Sequence, residues 1–329
     1  MEETGLRRLG KRALERVVVA LFRVVSRLAF ALPTGLALRI TRLLFHAGYH
    51  LWPDKRQSVL ANAAQVLAVP PDDPAVRRLA HGIYRSYAEF SLEILRLPHL
   101  PSDEPMRLMT DAPERGGSSF VRLFHETAAE GRSLIVVSGH IGSIDMLAGA
   151  FAAQGVPVYG VADDSAFPEL LATLERQRAR WGISVVPWRN LRQLFRVLRT
   201  PSVVGLVVDW GYREQDVPVR LFGAWTTLPA GPAVLAARTG AIVVPVVNRR
   251  LPDGRYEATH FPPIEVPDGA TASIAAATQQ IADALEQIIG AAPAQWYSFK
   301  RIWPETQDER AALAARAAAA GGVSTGVTR

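Results

Sequence analysis

The chain has 329 residues, of which 49% are hydrophobic and 21% charged, and its net charge is +6. This composition indicates a globular protein with a sizeable core and excludes disorder of the whole chain. Because the sequence contains no cysteine, disulfides, thiolate metal sites and a cysteine acyl-enzyme are excluded.

The N-terminal 56 residues carry the excess positive charge, with 11 Lys and Arg against 4 Asp and Glu. Arg12, Arg16, Arg23 and Arg27 are spaced to share one helical face beside an apolar segment, and residues 36–51 repeat the pattern. The uninterrupted apolar runs are shorter than the ~20 residues that span a bilayer. We therefore expect two amphipathic helices lying on an anionic membrane surface. The alternative is ordinary helices that pack on the domain and expose their arginines.

The next part of the chain is helical in character. His46 and His50 have the i, i+4 spacing of two zinc ligands, but the Glu of the metalloprotease motif and a third ligand are missing. We expect no metal site there. Two further helices are predicted at residues 58–67 and 74–97, followed by a loop-like connection over 100–117.

From residue 120 onward, short apolar strands alternate with helices. The strands are predicted at 134–137, 157–162, 183–187, 203–209 and 241–248, and the helices between them at 143–151, 166–181, 191–199 and 229–239. This order is typical of an α/β fold with a largely parallel central sheet flanked by helices. In such sheets, sites lie at the carboxyl ends of the strands, where both His140 and Asp209 fall.

The segment around His140 has the pattern of a catalytic base. His140 follows the apolar strand and the Ser138-Gly139 break, Ser143 is a predicted helix N-cap, and Asp145 lies in the first helical turn. A carboxylate that accepts from one imidazole nitrogen leaves the other nitrogen to take a proton from a hydroxyl. The alternative is a capped helix beside a hydrogen-bonded loop histidine.

Several blocks in a fixed order resemble the lysophospholipid acyltransferase superfamily. They are residues 138–145, 178–182, 209–212, 219–223, 228–233, 243–245 and 295–304. The resemblance covers roughly residues 15 to 305 and is strongest to the lipid A biosynthesis acyltransferases, a branch that includes the phosphatidylinositol mannoside acyltransferases. It implies a membrane-associated enzyme with an H-x4-D catalytic pair, here His140 and Asp145, and an acyl thioester donor.

The expected chemistry needs one base and no protein nucleophile. His140 would deprotonate an acceptor hydroxyl while Asp145 holds the ring, and backbone amides near Gly142 would stabilise the oxyanion. Further substrate-binding candidates are Ser138, Arg178, Asp209, Arg213, Lys300 and Arg301. Asp209 would hold an arginine or an acceptor hydroxyl, and its alternative role is a strand-end cap. The arginines are alternatively solvated charges, and Lys300 and Arg301 are alternatively residues that close the domain.

We therefore predict a peripheral or monotopic acyltransferase on the cytoplasmic face of the plasma (inner) membrane. It would move a fatty acyl chain from acyl-CoA or acyl carrier protein to a glycolipid or lysophospholipid hydroxyl, with no cofactor, metal or nucleic acid. The predicted parts are membrane-docking helices at 1–56, an acyltransferase domain at 57–308 and a flexible tail at 309–329. Two alternatives remain: a hydrolase with Ser138 or Ser143 as nucleophile, although a Gly-x-Ser-x-Gly elbow is absent, and a non-catalytic lipid-binding protein.

Overall fold

The computed structural model describes residues 2–111, 116–162 and 168–319. Its helices are α1 (Glu2–Ala31), α2 (Thr34–Leu51), α3 (Pro53–Leu67), α4 (Pro74–Arg96), α5 (Glu104–Leu108), α6 (Gly117–Ala129), α7 (Ile144–Ala153), α8 (Pro168–Arg180), α9 (Leu191–Val197), α10 (Gly231–Thr239), α11 (Thr271–Ala291) and α12 (Gln307–Ala319). Its strands are β1 (Met109–Asp111), β2 (Leu134–Ser138), β3 (Val158–Ala162), β4 (Ile183–Pro187), β5 (Val203–Val207), β6 (Val217–Leu221), β7 (Ala224–Leu228), β8 (Ile242–Arg250) and β9 (Tyr256–His260).

Strands β1 to β5, β8 and β9 form one sheet in the order β1-β9-β8-β2-β5-β3-β4. All neighbours in this sheet are parallel except β8 and β9, which are antiparallel. Helices cover both faces, so the expected α/β fold with a largely parallel sheet is confirmed. Strands β6 and β7 form a separate antiparallel hairpin, and the predicted connection at 100–117 contains α5 and β1.

The buried strand β2 separates two hydrophobic cores. Ile135 and Val137 point into the core that includes Leu285 of α11. Leu134 and Val136 point into the core on the opposite face, which includes residues of α6 and α7. Because successive side chains of a strand point to opposite faces, an uninterrupted apolar strand is what two covered faces require.

Helix α2 packs on α4 and buries Ala37, Thr41 and Tyr49, but both N-terminal helices also expose apolar side chains. These are Leu14, Val17, Leu21, Val24, Val25, Leu28 and Phe30 on α1, and Leu36, Ile40, Leu43, Leu44 and Leu51 on α2, followed by Trp52. We call this set the N-terminal apolar surface. Within the described ranges, no helix is long and apolar enough to cross a membrane.

Two predicted boundaries fall near the limits of the described residues. Of the predicted tail, residues 309–319 lie in α12, and residues 320–329 lie outside the described part. The start of the predicted helix at 166 also lies outside it, and α8 begins at Pro168.

Candidate active site

The register of two parallel strands brings His140 and Asp209 together. Ser138, the last residue of β2, pairs with Val207, the last residue of β5. His140 and Asp209 each follow their strand end by two residues, and the amide of Val208 donates to the carbonyl of Ser138 to extend the pairing. Two equal offsets from neighbouring parallel strands place both side chains at the carboxyl edge of the sheet.

Asp209 holds His140 through both carboxylate oxygens. Oδ1 lies 2.7 Å from Nδ1 of the imidazole, and Oδ2 accepts from the backbone N–H of His140 at 2.8 Å. The indole Nε1–H of Trp296 also donates to Oδ2 at 2.8 Å. Because an ionised carboxylate only accepts hydrogen bonds, the ring proton lies on Nδ1 and the Nε2 lone pair stays available.

Burial and charge set the titration of this pair. Burial lowers the pKa of His140, but the charge and hydrogen bond of Asp209 outweigh it, so the pKa lies above its ordinary 6.5; the charge of Lys300 opposes the rise. Burial raises the pKa of Asp209, but the charge and hydrogen bonds of His140 and the hydrogen bond of Trp296 bring it below its ordinary 3.8. Asp209 is therefore a carboxylate at neutral pH.

Asp145, the predicted partner of His140, has a different contact in the structure. Its Oδ1 accepts from Nε of Arg178 at 2.6 Å and its Oδ2 from Nη2 at 3.1 Å. This bidentate ion pair joins the first turn of α7 to the end of α8. The expectation that Asp145 holds the imidazole is thus corrected: Arg178 occupies both of its oxygens, and Asp209 occupies Nδ1 of the ring.

The loop that carries His140 is held in place by contacts with Asn248 of β8 and with Tyr297. Gly142 has φ +63°, and a Cβ there would lie 1.4 Å from the carbonyl oxygen of Asn248, so only glycine fits. The side-chain amide of Asn248 donates to the carbonyl of Ser143 at 2.6 Å. The backbone N–H of Tyr297 donates to the carbonyl of His140 at 2.9 Å, and its hydroxyl donates to the carbonyl of Gly142.

A buried carboxylate lies beneath the same loop. Glu93 of α4 accepts hydrogen bonds from the hydroxyls of Ser143 and Tyr256 and from Nη2 of Arg250 at 2.8 Å. Burial raises the pKa of Glu93 in spite of these partners. Ser143 also accepts from the backbone N–H of Met146 as the N-cap of α7. Its hydroxyl is thus committed to Glu93 and lacks the histidine contact of a hydrolase nucleophile.

The other predicted substrate-binding residues are dispersed. Lys300 places Nζ 4.8 Å from the ring centroid of Trp210, whose ring lies 5.4 Å from that of His140. Ser138 is buried in β2. Arg213 exchanges backbone hydrogen bonds with the hydroxyl of Thr227, and Arg301 pairs with Glu305. The structure therefore brings Lys300 and Asp209 to His140 but leaves Arg213 and Arg301 in other contacts.

Two tryptophans at the site were absent from the predicted residues. Trp296 follows a short helical turn after α11 and forms an antiparallel bridge with Ile141, which places its indole beneath Asp209. Trp210 is half-exposed and meets His140 edge to face. Their signal in the sequence is position alone: both lie in blocks that carry the family resemblance, and Trp210 also adjoins Asp209.

Residues 8–305 match the bacterial lipid A biosynthesis acyltransferase family. The match covers most of the chain, so the protein belongs to this family and is an acyltransferase. Among curated proteins, it is similar to the phosphatidylinositol mannoside acyltransferase of Mycobacterium tuberculosis, with 30% identity over 252 residues, or 74% of this chain and 75% of that one. The enzyme of that name from Mycolicibacterium smegmatis is 28% identical over 260 residues, or 76% of this chain and 81% of that one.

Proposed function

We propose that the protein transfers a fatty acyl chain from an acyl thioester to a hydroxyl of a glycolipid, with His140 as general base and Asp209 as its positioning residue. The observation that carries this proposal is the contact of Asp209 with both Nδ1 and the backbone N–H of His140. It fixes the imidazole with Nε2 as the basic nitrogen. The names of the relatives favour a phosphatidylinositol mannoside as the acceptor.

The step balances without a covalent enzyme intermediate. The acceptor hydroxyl gives its proton to Nε2 of His140 while its oxygen attacks the thioester carbon. The tetrahedral intermediate then expels the thiolate, which takes the proton from His140. The step uses no metal or cofactor besides the acyl donor, acyl-CoA or acyl carrier protein.

Backbone amides supply the oxyanion site in this proposal. The N–H of His140 donates to Asp209, and the N–H of Ile141 donates to the carbonyl of Gly139 at 2.8 Å. Both N–H groups therefore already have an acceptor. The amides that follow, from Gly142 toward the start of α7, are the candidates to stabilise the developing negative charge.

We further propose that the N-terminal apolar surface docks on the membrane. Its residues on α1 recur at intervals of three and four, as at Val17, Leu21, Val24 and Leu28, and the exposed Arg23 and Arg27 flank them. An apolar stripe bordered by arginines is suited to the interface of an anionic bilayer. Docking on the cytoplasmic face would place the site next to a lipid acceptor.

The test is thiol release from palmitoyl-CoA by the full chain, with and without phosphatidylinositol mannoside, a lipid A precursor or a lysophospholipid. We expect release that depends on a glycolipid acceptor, that persists in His125→Ala, an exposed histidine of α6, and that disappears in His140→Ala. Release without an acceptor would indicate a hydrolase. Full activity in His140→Ala would refute the assignment of the base.

A further inference from the structure

Besides the larger cavity that Arg42 and Arg85 line together with Gly142, a smaller pocket lies between α2 and α4. It has a volume of about 330 Å³ and is lined by Arg42, His46, His81, Tyr84 and Arg85. We call it the α2/α4 pocket. Arg42 and His46 are one turn apart on α2, and His81 and Arg85 are one turn apart on α4, so two helices each present an arginine and a histidine to the same space.

The α2/α4 pocket has more cationic groups than acidic ones. Arg42 pairs with Glu89, and Nε of Arg85 lies 3.6 Å from the same carboxylate. One carboxylate thus serves both arginines. The rings of His46 and His81 are stacked at 5.8 Å. The pKa of His81 is lowered, by burial first and then by the charges of His46 and His50.

Two buried polar atoms at this pocket have no hydrogen-bond partner among the described residues. They are the hydroxyl of Tyr84 and Nε of Arg42. Tyr84 is only 3% exposed, with its hydroxyl buried, and is one of the residues that line the pocket. Since buried polar groups are normally satisfied, two unmet donors beside one space indicate an acceptor-rich ligand.

The pocket borders the N-terminal apolar surface. Leu43 and Leu44 follow Arg42 directly in α2 and are among its most exposed side chains, at 68% and 64%. A molecule with an anionic head and apolar tails fits this boundary, because the head can enter the pocket while the tails lie along the leucines. A free anion would use only the pocket.

We propose that the α2/α4 pocket binds the anionic phosphodiester of a membrane lipid headgroup. Arg42 and Arg85 supply charge and forked donors, the imidazoles of His46 and His81 supply N–H groups, and the Tyr84 hydroxyl donates to a phosphate oxygen. The proposal concerns binding alone, and it holds whether the bound lipid is the acyl acceptor or a neighbouring lipid of the bilayer.

The test is vesicle flotation of the full chain in the His140→Ala background, so that turnover plays no part. Phosphatidylcholine vesicles carry either phosphatidylglycerol or oleic acid at matched surface charge. We expect preferential binding to phosphatidylglycerol. Tyr84→Phe removes one hydroxyl and no charge, and we expect it to weaken that binding roughly tenfold, as for one hydrogen bond to a charged group. The melting temperature of the Tyr84→Phe variant should not fall, because the Tyr84 hydroxyl has no hydrogen-bond partner among the described residues.

A second pair of variants separates the pocket from general surface charge. Arg85→Gln changes an exposed side chain and should weaken binding to phosphatidylglycerol about fivefold. Arg199→Gln makes the same change at another exposed arginine. The neighbouring carbonyls of Leu198 and Thr200 accept hydrogen bonds from Ser133 at the amino-terminal end of β2. This variant should have no effect on vesicle binding. Equal binding to both vesicle types, or unchanged binding in Tyr84→Phe, would overturn the proposal. Binding of inorganic phosphate that Tyr84→Phe weakens, with vesicle binding unchanged in that variant, would assign the pocket to a free anion and overturn the lipid assignment.

Discussion

Replacement of Asp209 by asparagine tests the assignment of the imidazole partner most directly. The carboxylate accepts three hydrogen bonds, from Nδ1 and the backbone N–H of His140 and from the indole of Trp296. An asparagine keeps the shape but loses the charge, and its amide donor can select the wrong tautomer of His140. Loss of the charge and tautomer control at such a pair lowers turnover by about 10²–10⁴-fold.

The pH dependence of kcat/KM tests the same assignment and has an expected direction. A general base acts when deprotonated, so kcat/KM of the wild type should rise with pH through the pKa of His140, which lies above 6.5. Burial and Lys300 both lower this pKa, and Asp209 is the group that raises it. In Asp209→Asn the rise in residual activity should therefore move to lower pH.

The assay is acceptor-dependent thiol release across pH, with Asp145→Asn measured in parallel and near-ultraviolet circular dichroism to check folding. We expect turnover to fall strongly in Asp209→Asn and much less in Asp145→Asn, because Asp209 contacts His140 and Asp145 contacts Arg178. Near-normal turnover in Asp209→Asn, together with a folded but inactive Asp145→Asn, would refute the reasoning and restore the H-x4-D pair as the catalytic unit.

Three further predictions concern the frame of the site. Asp145→Asn and Arg178→Gln should each lower the free energy of unfolding by about 3 kcal/mol, with the double variant losing less than the sum, as a denaturant cycle would measure. Gly142→Ala should lower the free energy of unfolding by more than about 4 kcal/mol, because the new Cβ would clash with the backbone carbonyl of Asn248. Gly254→Ala, also at positive φ but in open space, should lose only about 1–2 kcal/mol; similar melting temperatures for the two would contradict this. Trp296→Phe should reduce kcat roughly tenfold with little change in KM, since it removes one donor to a buried carboxylate.

The longer parallel strands of the sheet were predictable from the sequence, whereas strand β1 and the separate β6–β7 hairpin were not. Strands β2, β3, β4, β5 and β8 read as apolar runs between helices, because a strand covered on both faces has no polar side. Strand β1 has only three residues. The β6–β7 hairpin turns at Phe222 and Gly223, both at positive φ, and phenylalanine in that conformation is too rare to be read as a turn signal.

The partner of His140 was missed because strand order is not local information. The spacing of five residues made Asp145 the obvious carboxylate, whereas Asp209 lies 69 positions away. The sequence places both His140 and Asp209 at strand ends, but the order of the strands decides which ends are neighbours. Here β5, and not the next strand β3, lies beside β2. The guanidinium of Arg178 binds the nearer carboxylate, that of Asp145, so Asp145 does not hold His140.

The N-terminal helices and the loop that carries His140 are connected through α4, which argues against treating residues 1–56 as a separable attachment. Glu93, which lies beneath the loop of His140, is one turn from Glu89 on the same side of α4, and Arg250 pairs with both. Helix α2 reaches this same side, because Arg42 pairs with Glu89, and Nη1 of Arg96 donates to the hydroxyl of Thr34 at 2.8 Å. Removal of residues 1–56 would expose the apolar side of α4 and leave Glu89 without Arg42. We therefore expect this truncation to lower the melting temperature and the activity toward acceptors dispersed in detergent, where no membrane is needed. A truncated chain with normal stability and normal activity in detergent would show instead that these helices serve docking alone.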